Sequence, residues 1–405
     1  MAIWLAASVA VLVLSLHASS RLVEETDPSL AIALFPFNVD ATATLVERLL
    51  DGQEAGADME IAEDLVDEAI PLNAGHARLQ SLRAEILLRA GDRDGAANDF
   101  RRALELSKTE SVALQRTIAW SIEADDVVGA LENIDVLLRR HPWKIRDLGS
   151  IFAAIVMTKD GYAELRRRLM VGPPWGAAVF RQIAADPAGL AAGASLLTDL
   201  HKAGAPVGDW GLSTVIQALI REGRALEAYS LFLGTQSTAE AALAGYIHDS
   251  GFEGGQSNKP FDWQIRSRSG HTVERLPHPS FGSVQSGLLI QFNGTPVKDM
   301  QASQVLHLPP GEYELSADLT AANAKLPKGL YWSLRCQSSS REFARLDIPE
   351  GSYRNKVAAT RFVLSADDCP LQNVSIHTAV IAESWKDRYT GSVVVQRLQI
   401  RKSDS

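Results

Sequence analysis

The sequence predicts a multidomain protein, α then β: a helical-repeat solenoid followed by an antiparallel β-sandwich. Three observations predict it. A 34-residue period runs through the N-terminal third, with Ala62, Ala96 and Ala130 in exact step, and likewise Val66, Phe100 and Ile134. A Gly- and polar-rich stretch at 251–258, GFEGGQSN, interrupts the helical pattern and reads as a linker. Beyond it the apolar period changes to two, the period of strands.

The chain has 405 residues, a length that suits two or three domains. A net charge of −9 argues against a nucleic-acid binder, which would present a basic patch or stripe. Between Arg21 and Ile70, thirteen acidic residues face only Arg21 and Arg48. That stretch reads as a solvated acidic face, or more sharply as a docking strip for a basic partner. Ahead of it, residues 2–16 read AIWLAASVAVLVLSL, with no charge before Arg21. This is slightly short for a bilayer span of about 20 residues and lacks the basic start of a secretory signal. Residues 1–20 are read as a signal anchor or transmembrane helix. The body is then expected in the periplasm of a bacterial envelope; the alternative is secretion after signal cleavage.

Repeats are expected near 43–76, 77–110 and 111–144 within a region 28–144, each as two packed helices. In the second repeat, Gly91-Asp92-Arg93-Asp94 makes the turn between Leu79–Ala90 and Gly95–Leu106. A lone helix pair cannot bury its apolar face, so stacking supplies the core. Small, bulky and small residues at these positions, with Pro142 closing the third series, resemble the second helix of the tetratricopeptide repeat. The first helices depart from that pattern: Leu50 and Ile118 stand where a small residue is usual, matched only by Ala84. The resemblance implies a concave groove that binds a protein partner. Positions equivalent to the family's groove fall on Arg78, Glu85, Arg89, Gln115 and Glu123. Residues 145–250 keep helical apolar spacing without the strict period and read as degenerate repeats.

In 259–403, strands are expected at FDWQIRS, GLLIQFN, QVLHL, YELSADLTA, LYWSLRC, KVAATRFVL, VSIHTAV and SVVVQRLQIR. Eight short strands argue for a jelly-roll-like sandwich. Pro310, Gly311, Tyr313 and Leu315, with the opening PFDW and the closing GSVVVQRLQIR, resemble carbohydrate-binding modules of jelly-roll type. The whole layout, including Cys369-Pro370, resembles bacterial envelope proteins linked to exopolysaccharide production. That resemblance implies a polysaccharide as ligand of the sandwich.

Cys336 and Cys369 are the only cysteines, and both fall in the β-rich part. An even count in an exported domain reads as one disulfide; the alternative is two free buried thiols. Catalytic signals are weak. There is no Gly-x-Ser-x-Gly elbow and no phosphate loop, and the histidines show no ligand spacing. No catalytic residue, metal ligand or cofactor is therefore expected. Glu312 and Glu314 share one strand face and are expected in solvent, opposite Tyr313 and Leu315. Trp263 and Trp332 sit in strand patterns and are expected in the core. Trp385, Tyr389 and Tyr353 are expected in loops, where flat rings could stack on sugars. The reading is a non-enzymatic envelope scaffold that binds a protein through its repeats and a glycan through its sandwich. The alternatives are a structural adaptor without glycan binding, or a glycan-modifying enzyme.

Overall fold

The computed structural model describes residues 2–52, 57–255, 257, 259–276, 287–297, 299–365, 369–378 and 386–403. They form two compact units, Met1–Asp147 and Leu148–Ser405. The first is helical. The second carries further helices and then two antiparallel sheets, so the chain is a helical-repeat region followed by a β-sandwich, as its periods predict.

Unit 1 opens with α1 (Ala2–Val23) and α2 (Pro28–Leu34). Three helix hairpins follow: α3 (Val39–Asp51) with α4 (Ala57–Ala69), α5 (Ala77–Arg89) with α6 (Arg93–Leu106), and α7 (Ser111–Glu123) with α8 (Val127–Arg140). The period is a packing period. Ala62, Ala96 and Ala130 are fully buried, as are Val66, Phe100 and Ile134 one turn later. Small side chains let the facing helix approach, and the bulky one fills the space between hairpins. Leu50, Ala84 and Ile118 are buried on the first helices, so the departure from the consensus changes side-chain volume but keeps burial.

The turns repeat as well. Asp92 and Asp126, 34 apart, cap α6 and α8 by accepting from Gly95 N and Gly129 N at 2.9 Å. A Cβ at either glycine would come within 2.2 Å of the capping carboxylate, so a side chain there would push the cap aside. Gly91 and Asp125 precede the caps with φ of +87° and +56°, ending α5 and α7.

Unit 2 begins with α9 (Gly149–Met157), α10 (Lys159–Met170), α11 (Gly176–Ile183), α12 (Leu190–Lys202), α13 (Asp209–Arg221), α14 (Ala225–Gly234) and α15 (Thr238–Ala241). These helices group with the sandwich rather than with the repeats. On α14, Tyr229 and Phe232 meet Phe261 at ring-centroid distances of 5.3 and 5.5 Å.

The expected linker at 251–258 is not a free tether, although Gln256 and Asn258 lie outside the described residues. Phe252 is buried in the sandwich core against Trp263, with ring centroids 4.8 Å apart. Asp249 accepts from Glu253 N and Gly254 N, and Arg275 pairs with Asp249 at 2.9 Å. Its glycines and polar groups serve a tight turn, with Asp249 and Phe252 at φ of +52° and +59°.

The strands are β1 (Gln264–Arg266), β2 (His271–Leu276), β3 (Gly287–Phe292), β4 (Gln301–Leu306), β5 (Gly311–Lys325), β6 (Tyr331–Cys336), β7 (Glu342–Asp347), β8 (Gly351–Leu364), β9 (Gln372–His377) and β10 (Thr390–Lys402). One sheet runs β1-β4-β9-β6-β7 and the other β2-β3-β10-β5-β8, every pairing antiparallel. Two strands, β2 and β7, escape the period-two reading, although β7 keeps the alternation with Ala344 and Leu346 buried on either side of exposed Arg345. Between the sheets lie Trp263, Trp332, Tyr313, Leu315 and Tyr389. Cys336 and Cys369 form a disulfide that ties the end of β6 to the segment before β9. Glu312 is exposed and Glu314 half-buried, opposite buried Tyr313 and Leu315, with Arg361 3.6 Å from Glu314.

Candidate functional site

The outer face of β1-β4-β9-β6-β7 carries a set of mutually bonded polar groups. Alternation on β6 sends Trp332 and Leu334 into the core and leaves Tyr331, Ser333 and Arg335 on the other face. Pairing then assembles rows. Ser303, Ser375, Ser333 and Arg345 stand side by side across four strands, and His377, Tyr331 and Asp347 form the next row. Asn373 pairs with Arg335 and Arg335 with Glu342 in a third.

These groups hold one another in place. The Arg345 guanidinium lies 3.8 Å from the Tyr331 ring centroid and donates to Asp347 at 2.8 and 2.9 Å. The His377 ring sits on the other side, its centroid 5.8 Å from that of Tyr331. His377 Nε2 and Ser375 Oγ are 2.7 Å apart. Burial, helped by Arg335, holds the His377 pKa below the ordinary histidine value, so the ring is neutral at pH 7. Ser333 Oγ donates to Glu342 and accepts from Arg335 Nε at 2.9 Å. The result is a fixed layer in which Tyr331 and Ser333 are buried, and the exposed Arg345 guanidinium, the half-buried neutral imidazole of His377 and the half-buried hydroxyls of Ser303 and Ser375 face outward. Such a surface suits neutral, hydroxyl-rich ligands. Its carboxylates, Asp347 and Glu342, are each committed to an arginine.

Of the aromatic trio expected to bind glycan, Tyr389 and Tyr353 are among the described residues. Tyr389 is fully buried: its hydroxyl donates to Gly329 O at 3.0 Å and its ring packs on Phe292. A ring enclosed on both faces cannot stack on a sugar, so Tyr389 is a core residue. Burial pushes its pKa up to about 12. Tyr353 is half-buried on β8, in the other sheet, with its hydroxyl donating to Pro349 O at 2.9 Å and Lys356 over its ring. Trp385 lies outside the described residues. Tyr331, Arg345 and His377 escaped the sequence reading because they come from three strands. The one usable signal was the period of two in LYWSLRC, which forces Tyr331 opposite Trp332.

The repeats carry a second candidate, a groove of about 620 Å³ in unit 1. Glu85, Arg89 and Gln115 line it, as expected from their positions, together with Arg116 and Lys144. Arg78 and Glu123 do not. Arg78 is a strut, paired with Glu47 of the preceding hairpin at 2.9 Å, and Glu123 is exposed and paired with Arg93. The same strut recurs one hairpin later, where Arg116 holds buried Glu85 through two bonds, one of 2.6 Å. Arg89 donates to Leu50 O at 2.6 Å. Part of the wall expected to meet a peptide is therefore spent on locking repeat to repeat.

Among the described residues, no group of three His, Cys, Asp or Glu side chains is placed to hold a metal ion. Nor is any helix among them long and apolar enough to cross a membrane, so the expected transmembrane helix at 1–20 is not found there.

No protein-family model and no curated protein matches the chain by sequence. Among solved structures it is similar to a family 4 carbohydrate-binding module at 12% identity, covering 39% of this chain and 99% of that one, with a TM-score of 0.28. It is similar to the family 22 xylan-binding domain from Paenibacillus barcinonensis at 12% identity, covering 38% and 93%, with a TM-score of 0.25. A family 6 module from Cellvibrio mixtus, in complex with cellotriose, gives 11%, 36% and 98%, and 0.22. At such scores the likeness is loose, and what those modules bind remains a property of those modules.

Proposed function

We propose that the protein is a non-enzymatic scaffold of the bacterial cell envelope, attached to a membrane through its N-terminal helix. Its sandwich holds a glycan on the outer face of β1-β4-β9-β6-β7, and its repeats hold a protein partner in the groove of unit 1. The single observation behind the glycan reading is the exposed Arg345 guanidinium and the half-buried His377 ring, both held by buried Tyr331, beside the half-buried hydroxyls of Ser303 and Ser375. Flat surfaces at fixed height meet the apolar face of a sugar ring, and hydroxyls beside them meet its edge. The setting in exopolysaccharide synthesis or export rests on the resemblance of the layout alone.

The test is a glycan array with the full chain beside an Arg345→Ala, His377→Ala double variant. The reading expects binding to a neutral polysaccharide and at least a tenfold loss in the variant, with an unchanged melting temperature. One observation favours a second reading, an adaptor without glycan binding: Trp263, Trp332 and Tyr389 are all buried in the core. No binding to any glycan would establish that reading instead.

A further inference from the structure

Only the last turns of α1 are docked. Ser20 Oγ donates to Ala31 O at 2.7 Å, and Asn38 Nδ2 donates to Ser20 Oγ at 2.8 Å and to Glu24 at 3.1 Å. The His17 ring packs edge-on against Phe35 at 4.8 Å, and Arg21 pairs with Glu24 at 3.0 Å and with Asp40. Ahead of this clamp the described side chains of α1 up to Ser15 are exposed. Trp4 is 80% exposed, and Val9, Val11, Leu12, Val13 and Leu14 are all exposed. At about 100° per residue, these positions surround the helix rather than forming a stripe. Ser8 and Ser15 turn their hydroxyls back to Trp4 O at 2.9 Å and Val11 O at 2.8 Å. Their polar groups are thus satisfied without water.

Charge follows the same boundary. No charged side chain occurs before Arg21. At the foot, ionic groups gather at once: Arg21, Glu24, Asp40 and Arg48. A protein groove would cover one stripe of such a helix, whereas hydrocarbon covers all of it. The step from uncharged shaft to charged foot matches the step from hydrocarbon to headgroup. The shaft from Trp4 to Leu16 rises roughly 20 Å, enough to enter a hydrocarbon core of about 30 Å without crossing it.

The foot also exposes large apolar side chains. Leu22, Phe37 and Leu72 are 84%, 70% and 71% exposed, and Leu30 is 46% exposed. Phe37 and Leu72 flank one shallow cavity of about 270 Å³. We infer that Leu22, Leu30, Phe37 and Leu72 form a rim that lies in the lipid interface around the inserted α1, holding unit 1 flat against the bilayer. This deepens the membrane attachment proposed above and rests on it.

The test is flotation of the full chain with phosphatidylcholine vesicles. The wild type should float. A Val11→Asp, Leu14→Asp variant should lose at least tenfold in bound fraction. A Leu30→Ser, Phe37→Ser, Leu72→Ser variant should lose about tenfold at limiting lipid, with α1 intact and the melting temperature unchanged. Loss in the shaft variant with none in the rim variant overturns the rim and leaves the attachment standing. A wild type that stays with the soluble fraction, alone or as an oligomer, overturns both.

Discussion

The repeats of unit 1 and the sandwich of unit 2 bury their cores by opposite routes. In the repeats, the same buried positions recur 34 residues later, as with Ala96 and Phe100 followed by Ala130 and Ile134. In the sandwich, β3 pairs with β10 in one sheet and β4 with β9 in the other, joining residues roughly a hundred and roughly seventy apart. Damage to a repeat can therefore be shared by its neighbours, whereas damage to the sandwich has no duplicate. A disulfide is present in the second architecture, and no free cysteine occurs among the described residues.

The strongest test of this contrast truncates one buried ring in each unit. Trp332→Ala and Phe100→Ala should each cost ~3–5 kcal/mol by transfer and cavity terms. The account expects Trp332→Ala to unfold the whole sandwich cooperatively and Phe100→Ala to loosen mainly α5–α8. Hydrogen exchange resolved along the chain distinguishes these, and uniform loss of protection in both variants would erase the contrast. Next in size is the disulfide. Replacing Cys336 and Cys369 by serine frees a loop of 33 residues and should cost ~3–4 kcal/mol in the chain-entropy model. The loss should appear in unit 2 only; a thermal melt unchanged by reductant would count against it.

Smaller effects sharpen the comparison. Asp92→Ala and Asp126→Ala remove equivalent caps and should each cost ~1 kcal/mol. Equal values would show the two hairpins to be energetically interchangeable; a several-fold difference would show that they are not. The smallest effect is acidic. His248, His271 and His377, all in unit 2, are held below the ordinary value of 6.5 by burial. Between 6.5 and the folded values, the unfolded chain binds more protons than the folded one. Stability therefore declines as pH falls through that window and is fully present above it. Melting followed from pH 7 to pH 5 should show protection lost first in unit 2. A flat profile above the carboxylate range would contradict it.

The two regions also differ in how much their sequences disclose. A local period writes the repeat core directly into the chain, so Ala62, Phe100 and Ile134 could be placed from spacing alone. Glu85, Arg89 and Gln115 came from the family resemblance, and they line the groove of unit 1. What spacing could not show was that Arg78 and Arg116 serve as struts, because that depends on side-chain reach between hairpins. In the sandwich, alternation placed Trp332 and Tyr313 in the core, and composition suggested Tyr389 for a loop. Its burial depends on Phe292 and Gly329, which are distant in sequence. The platform was hidden for the same reason: Tyr331, Arg345 and His377 meet only when β6, β7 and β9 pair.

The central claim is that a glycan rests on that platform. Hydrogen exchange of the full chain, with and without each of a panel of neutral oligosaccharides, tests it most directly. The account predicts ligand-induced protection confined to β6, β7 and β9, and abolished by Arg345→Ala, His377→Ala. Protection along β5 and β8 instead, or none with any oligosaccharide, would contradict it.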